Sequence, residues 1–497
     1  MSTTIWPSIS AALQHTPKST RAPMPWDPTS LLMSRFGFGI EPRTRAELVS
    51  YGYDGWWQRQ VNLGKAAAAP GAQYTAQPQI AGQGPLLGKS PADVRAWLKA
   101  NGNEYGWELM DQLTRVTLGL QAWSPATLYE SVVDFFANHL NVANHSDAVW
   151  CTRHTMDRDV IRTHAFGSYT DMLLASARNP AMLQYLNLAS STKAAVNENY
   201  GRELLELHTV GLAAKYSESD VQNSAKVLTG RTLDSDANYR YSAGTHWVGP
   251  ITVLGFSHPN STAAGGEAAG DGYLRYLASH PSTANRLAQK LCVRYVSDTP
   301  TPTLVAAVAA AYSTSGTQIL PMLETIVRST EFWASRGAKV RRPLENLLAT
   351  VRALGIGPVQ VASAVQTLHW MSSSVGQVPL DWSAPNGYPD VAGSWRSSGT
   401  LLNLWEYHRG LAQSWWAEFG KLDLTTLYGT SKPANSGQAI IALCGWLTGS
   451  RLPVAHLQAL QTFLGEPAST ALDKSNLRWN LGDVVSLILD SPQHALR

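Results

Sequence analysis

The segment NENYGRELLELHTVGL, Asn197 to Leu212, holds the densest set of groups able to carry protons. At about 100° per residue, Glu198, Asn199, Arg202, Glu203, Glu206 and Thr209 fall on one helix face, opposite Tyr200, Leu204, Leu207 and His208. Three carboxylates and a guanidinium on one stripe support two readings. In solvent, Glu198–Arg202 and Arg202–Glu206 at i,i+4 spacing make a surface ion ladder. Enclosed in a cleft, the crowded like charges would raise at least one carboxyl pKa and leave an acid beside a base. On that second reading Glu198, Glu203 and Glu206 are the acid/base groups, and Arg202 holds one carboxylate ionised. His208, on the apolar side, reads as a hydrogen-bonded core histidine.

A second cluster lies upstream in DFFANHLNVANHSDAVWCTRHTMDRDVIRTHAFG, which contains Asn138, His139, His145, His154, Asp157, Arg158, Arg162 and His164. In one continuous helix, His154, Asp157, Ile161 and His164 share a face. Neutral imidazoles beside carboxylates can bind zinc or iron. The known metal spacings are missing, however, with neither His-Glu-x-x-His nor the Glu-x-x-His of di-iron carboxylate bundles. Asn138, His139, His154 and His164 are therefore read as substrate-binding residues, with Asn199 beside the acids, and no metal ligands are assigned. Metal binding is the minor reading.

These groups need helices to hold them. Helical periodicity runs from Asp27 past Phe36, from Thr44 to Val61, from Pro91 to about Leu120, from Leu128 to His139, and from Trp150 to Leu186 with a break at Asn179-Pro180. Asn197 to Val210 forms the acid-bearing helix, which Gly211 is suited to stop. Ser217 with Asp220 resembles a capping box opening a helix to Leu228. Residues 231–272 alternate aromatic and polar side chains among glycines, the place for short strands. Helices resume over Tyr273–Val296, Pro302–Tyr312, Ile319–Trp333, Pro343–Leu354, Leu401–Trp416, Gln438–Leu447 and Trp479–Ile488. Residues 64–90 read as a long surface connection, and residues 1–26 as a partly ordered arm. Residues 373–400 read as a Trp-rich loop, where Trp382, Tyr388 and Trp395 could wall a cleft. The fold class expected is mainly α, with two packed helical lobes, 27–230 and 273–497, and a loop/short-strand insertion at 231–272.

Composition narrows the function classes. The 497 residues carry a net charge of only +3 and no basic stripe, so the footprint of a nucleic-acid binder is missing. Charged residues are 15%, while Trp and Tyr number 18 each; the rings fill a large core or form exposed platforms for flat ligands. Cys151, Cys292 and Cys444 are far apart and form neither a disulfide framework nor a metal clip. No apolar stretch reaches the ~18–20 residues of a membrane span, so a soluble protein is expected. The first residues lack a signal-peptide pattern, a criterion pointing to the cytoplasm. Phosphate-binding, Rossmann and nucleophile-elbow motifs do not occur.

Several segments together resemble one family. NENYGRELLELHTVGL followed by YSESDVQNSAKVLTGRT, and upstream DFFANHLNV with RDVIRTHAFGSYTDMLLASARNPAMLQYLN, resemble the central signature of the bacterial domain of unknown function 1800. THWVGPITVLG, LASHPSTANRLAQKLCVRYVSD, LLMSRFGFG and GQVPLDWSAPNGYPD fit its remaining motifs in order. The resemblance implies a bacterial, largely helical protein, often exported and often encoded beside a sulfatase-like partner. It adds His246 to the substrate-binding candidates and implies no established activity or cofactor. Trp247 stands where the family usually has Asp, and Arg231 where it usually has Trp, so a site that uses that Asp is altered here.

Three functions compete. The first is a hydrolase acting on a carbohydrate or other cell-envelope polymer through the carboxylates and histidines. The second is a non-catalytic binding or assembly protein whose polar helix is an internal ion-pair lattice. The third is a metal-dependent oxidoreductase in a helical bundle.

Overall fold

The computed structural model describes residues 27–74, 77–102, 106–146, 149–429 and 431–497. The expected arm at 1–26 lies outside the described residues. The chain is mainly α-helical, and its strands form two antiparallel pairs, Arg231–Leu233 with Tyr239–Tyr241 and Ile251–Val253 with Phe256–His258. No described helix is long and apolar enough to cross a membrane.

Local chemistry sets the helix starts. Asp27 accepts from the Thr29 amide ahead of Pro28–Arg35, and Asn179 from the Ala181 amide ahead of Pro180–Tyr185. Ser217 and Asp220 make the expected reciprocal capping box of Glu218–Leu228. Gly211 adopts φ +73° just past the acid-bearing helix, a conformation that favours glycine.

The buried apolar side chains form two cores. The larger runs from Leu31 to Trp333 with Val365 and Leu380; the smaller joins Phe38, Leu118 and Ala122 to residues between Leu344 and Leu489. The tryptophans divide between core and surface. Trp56, Trp57 and Trp333 are buried, whereas Trp107, Trp370, Trp405, Trp415 and Trp479 are exposed. Cys292 and Cys444 are buried, Cys151 is half-buried, and all three are free thiols.

The structure corrects several expectations. The stretch 64–90 is not a surface connection: the preceding helix runs from Pro42 to Ala68, a short Pro78–Ala81 helix follows, and Ile80, Leu86 and Leu87 are buried in the larger core. The break inside Pro91–Leu120 separates Pro91–Ala100 from Trp107–Trp123. The helix after the strands begins at Gly266, not Tyr273, because the Ala/Gly face of Gly266–Ser279 packs closely on neighbouring helices. Weak polar patterning hid the Val361–Ser374 helix, which buries Ala364, Val365, Leu368 and Met371.

Two departures bear on function. Met156–Arg162 and Leu204–His208 are π-helical turns, continuing Arg153–Thr155 and Asn199–Glu203 respectively. A π turn shifts the residues after it around the axis, so faces projected at α-helical spacing fail there.

Candidate functional site

The Thr127–His139 helix and the segment after it form a latch for the loop beyond Val361–Ser374. Asn144 donates its amide N–H to the Leu380 carbonyl at 2.7 Å. Asn141 Nδ2 donates to the carbonyls of Trp382 at 2.8 Å and Ala384 at 2.7 Å. Asn138 Oδ1 accepts the Tyr388 amide at 3.0 Å, while its Nδ2 donates to the Asp134 carbonyl at 2.8 Å. Asn138 thus positions the loop. Gly387 passes so close that a Cβ there would lie 2.1 Å from the Asn138 carbonyl oxygen, and its φ is +70°.

The latched loop closes one side of a cavity of about 450 Å³. Phe135, Trp382 and Tyr388 contribute rings, and Asn138, His139, Lys290, Arg294, Arg342 and Asp390 contribute polar groups. Trp382 and Tyr388 have ring centroids 5.0 Å apart, and Trp395 backs Tyr388 at 5.8 Å while its Nε1 donates to the Pro389 carbonyl. Trp382 remains half-exposed at this wall. The cavity draws on helices of the larger core and, through Arg342 at the start of Pro343–Ala353, on the smaller one. It lies where the two cores meet, a common place for ligand pockets.

An ionic lattice forms the floor. Arg342 reaches Asp134 at 2.6 Å and Glu345 at 3.1 Å, and Arg294 contacts Glu345, Asp134 and Asp390. Arg497 adds Glu345 at 3.0 Å and Asp390 at 3.3 Å; Lys339 adds Asp298 at 2.5 Å. Arg294 and Arg342 hold the Glu345 carboxyl well below the usual carboxylate range against its burial, and they lower Asp390 in the same way. These carboxylates stay ionised and are poor proton donors.

A histidine–lysine pair lies elsewhere in the cavity. His139 is buried, with Nε2 3.1 Å from the His208 carbonyl and 3.0 Å from the Tyr169 hydroxyl. The Tyr169 hydroxyl donates to the same carbonyl. That carbonyl can only accept, which assigns the imidazole proton to Nε2 and leaves the Nδ1 lone pair toward Lys290 Nζ, 3.0 Å away. Burial, with Lys290 and Arg286 nearby, lowers the His139 pKa well below its ordinary value. Burial of the ammonium end, and then Arg286, bring Lys290 down to about 7. Near neutrality His139 therefore stays uncharged, and the Lys290 amine is the group of the two that titrates.

The acid stripe is only partly enclosed. Arg202 turns outward to Glu218, with contacts of 2.7 and 2.9 Å, and lies 3.6 Å from Glu198. That is the surface ion pairing expected of the solvent reading, with a partner from the next helix in place of Glu206. The expected Thr209 position is wrong, because the π turn carries Thr209 into the interior, where its hydroxyl donates to the Leu204 carbonyl at 2.6 Å. Glu203 and Glu206 are half-buried, and the Glu203 pKa is raised by burial first and by Glu206 second. Glu206 accepts from the Tyr216 hydroxyl at 3.4 Å. Asn199 sits in the first helical turn, its amide bonded to Asn197 Oδ1, and the stripe does not line the cavity.

The other histidines disperse. His154 gives Nε2 to the Lys89 carbonyl at 3.0 Å, and burial lowers its pKa to about 4. His164 is half-buried beside Asp171, its pKa lowered by burial. Asp157 instead joins Arg162, Glu130 and Tyr74 in a fully buried ion network. His246 lies between the Thr229 carbonyl at 2.7 Å and Asn260 Oδ1 at 2.9 Å. The expected hydrogen-bonded role of His208 is not seen: neither ring nitrogen finds a partner among the described residues, and burial lowers its pKa to about 3. Among the described residues no three His, Cys, Asp or Glu side chains are grouped to hold a metal ion.

The profile of the family described as protein of unknown function (DUF1800) matches residues 31–496. The chain belongs to this family. No curated protein and no solved structure matches it. The two positions that depart from the family's usual pattern are each accommodated. Arg231 is buried and paired with Asp271 at 2.7 Å, and Trp247 carries the Lys226 ammonium 5.2 Å from its ring centroid.

Of the residues singled out from sequence, the cavity gathers Asn138, His139, Trp382 and Tyr388, with Trp395 behind them. Glu198, Asn199, Arg202, Glu203, Glu206, His154, His164 and His246 are not among its lining residues. Sequence reasoning missed Asp134, Lys290, Arg294, Arg342 and Asp390. The signal available was the four-residue spacing of Arg286, Lys290 and Arg294 along one helix.

Proposed function

We propose that this protein recognises a sugar unit of a carbohydrate or cell-envelope polymer in the cavity between Trp382, Tyr388 and His139. One observation carries the reading: half-exposed aromatic rings stand opposite a dense set of fixed polar groups. A sugar ring presents apolar C–H faces to aromatic side chains and hydroxyls to amides and charged donors. The fixed loop supports it too, since a preorganised wall loses little entropy on binding. The experiment is calorimetric titration with a panel of neutral and acidic oligosaccharides. Wild type is expected to bind at least one saccharide, and Trp382→Ala to weaken that binding at least tenfold. Equal binding by the two proteins, or no saccharide bound by wild type, refutes the proposal.

Hydrolysis of the bound polymer is the second reading, favoured by the raised pKa of Glu203 beside Glu206. Burial first, and the Glu203 charge as a lesser cause, raise the Tyr185 phenol pKa, and the Tyr185 hydroxyl donates to the Ser383 carbonyl of the aromatic loop at 2.5 Å. Glu203 would then be the acid and Glu206 the base, acting on chain that extends beyond the cavity. Turnover of a bound polysaccharide should be lost in Glu203→Gln with binding retained; equal turnover in wild type and variant removes this reading.

A further inference from the structure

We propose that Lys290, backed by the positive charge of Arg286 one helical turn before it, binds an oxyanion carried by the ligand, the carboxylate of an acidic sugar or a phosphate ester. This rests on the cavity being a sugar site and names the class of sugar it selects.

The first argument is charge pairing. Arg294, Arg342, Arg497 and Lys339 around the cavity are each bound to carboxylates. Lys290 makes no ion pair among the described residues, and its polar contact is the uncharged His139 ring. Arg286 likewise has no ion pair there; its Nε donates to the Leu207 carbonyl at 3.2 Å. Lys290 is thus left without an ion-pair partner at the His139 end of the cavity, while Arg286, one turn earlier and near the Glu206 carboxylate, lies outside the lining and adds positive charge behind it. Removing the Lys290 ammonium from water without an anion costs free energy that a bound oxyanion offsets.

The second argument is donor geometry. An ammonium has three N–H bonds, and the contact with His139 uses one. The remaining two are free for a ligand oxygen. The carboxylates in range do not fill this role: Asp390, which acts on Lys290 from a distance, already serves Arg294, Lys339 and Arg497.

Protonation gives the distinguishing signature. The groups facing Lys290 are His139 on the Thr127–His139 helix, Arg286 on its own helix and Asp390 on the loop, with His208 behind His139. Its lowered pKa leaves the amine mostly neutral at pH 8. An anion placed against Nζ favours the charged form, so binding at pH 8 draws in a proton. Binding at pH 6, where the amine is already charged, draws in much less.

The experiment compares inorganic phosphate, acetate, and three trisaccharides of one backbone, neutral, carboxylated and phosphorylated, by calorimetry in buffers of different ionisation heat. The expected results are tighter binding of an acidic trisaccharide than the neutral one by at least tenfold, and proton uptake approaching one at pH 8. Lys290→Met should lose both the preference and the uptake, and Lys290→Arg should keep the preference without the uptake. The carboxylated and phosphorylated arms identify the oxyanion. Equal affinity for neutral and acidic sugars, or an unchanged preference in Lys290→Met, overturns the anion proposal while leaving the sugar site standing. Phosphate or acetate binding that depends on Lys290, with no trisaccharide bound, keeps the anion site and ends the sugar reading. No binding by any probe ends both.

Discussion

Replacing His208 with phenylalanine should make the protein less sensitive to acid. The His208 ring is fully buried against Tyr200, with centroids 6.4 Å apart, and neither nitrogen has a hydrogen-bond partner among the described residues. Burial, then the positive charges of Lys290 and Arg286, lower its pKa from 6.5 to about 3. The sign follows directly. The unfolded chain takes up a proton on this ring as pH falls below 6.5, and the folded chain does not, so the contribution to stability is complete above 6.5 and drains away below it. Between pH 7 and 5 the loss from this ring alone is about 2 kcal/mol, at ~1.4 kcal/mol per pH unit. A phenyl ring keeps the shape and removes the titration. Urea denaturation at pH 7, 6 and 5 should show the variant losing about 2 kcal/mol less than wild type across that range. Parallel pH profiles for the two proteins refute the reasoning, because they mean that His208 takes up its proton in the folded state as readily as in the unfolded one.

Three further outcomes are expected. Arg162→Met should destabilise by about 3–5 kcal/mol in denaturant titrations, because Glu130 and Asp157 remain buried with their cation gone; a loss below about 1 kcal/mol contradicts the buried network. Gly387→Ala should abolish saccharide binding while the helices persist by circular dichroism, since the added Cβ pushes the aromatic loop off Asn138; retained affinity contradicts the latch. Arg202→Met should leave the melting temperature unchanged, because its partner Glu218 is solvent-exposed; a large drop would mean that the acid stripe is structural after all.

The sequence made the helices legible wherever caps and apolar spacing agreed. Ser217 with Asp220 is the clearest case, and the start of Pro343–Ala353, with proline in its first turn and Glu345 on the Arg342 amide, follows the same logic. Where the turn widened, the reading failed. Nothing local in Leu204–His208 announces a π turn; its geometry is stabilised by Thr209 bonding back to Leu204 and by the His208 carbonyl held between Tyr169 and His139. Tyr169 and His139 are tertiary partners, invisible to periodicity. Residues 64–90 misled for a related reason. Their Ala/Gly/Pro content is that of a loop, yet Ile80 and Leu87 fill space against Val116 and Gly119.

The candidate site was legible in its parts and not in its assembly. Asn138 and His139 stand one residue apart, and Trp382 and Tyr388 lie in one loop, so each pair could be marked without knowing that they meet. Lys290 escaped because a cation at four-residue spacing reads as a solvated helix face, and only tertiary structure places His139 on its amine and denies it a carboxylate. The same structure explains why the acids attracted attention first. Glu198, Glu203 and Glu206 are conspicuous because they are adjacent in sequence, whereas Asp134, Glu345 and Asp390 are more deeply involved but come from three distant segments.

That separation has a physical consequence for what the cavity can do. Asp134 belongs to the larger core's helices, Arg342 and Glu345 begin a helix of the smaller core, and Asp390 hangs from the loop between them. The pairs Arg342–Asp134, Arg294–Glu345 and Arg294–Asp390 therefore fix one part of the cavity against another, and a buried pair of this kind is better suited to fixing geometry than to adding stability. Glu345 and Asp390 are committed to arginines, which keep them ionised and poor proton donors. What remains without an ion-pair partner is Lys290, its Nζ 3.0 Å from His139 Nδ1 in the cavity that Trp382 and Tyr388 wall. Positioning thus falls to the ionic lattice, and the cavity group left to take up or release a proton near neutrality is the Lys290 amine.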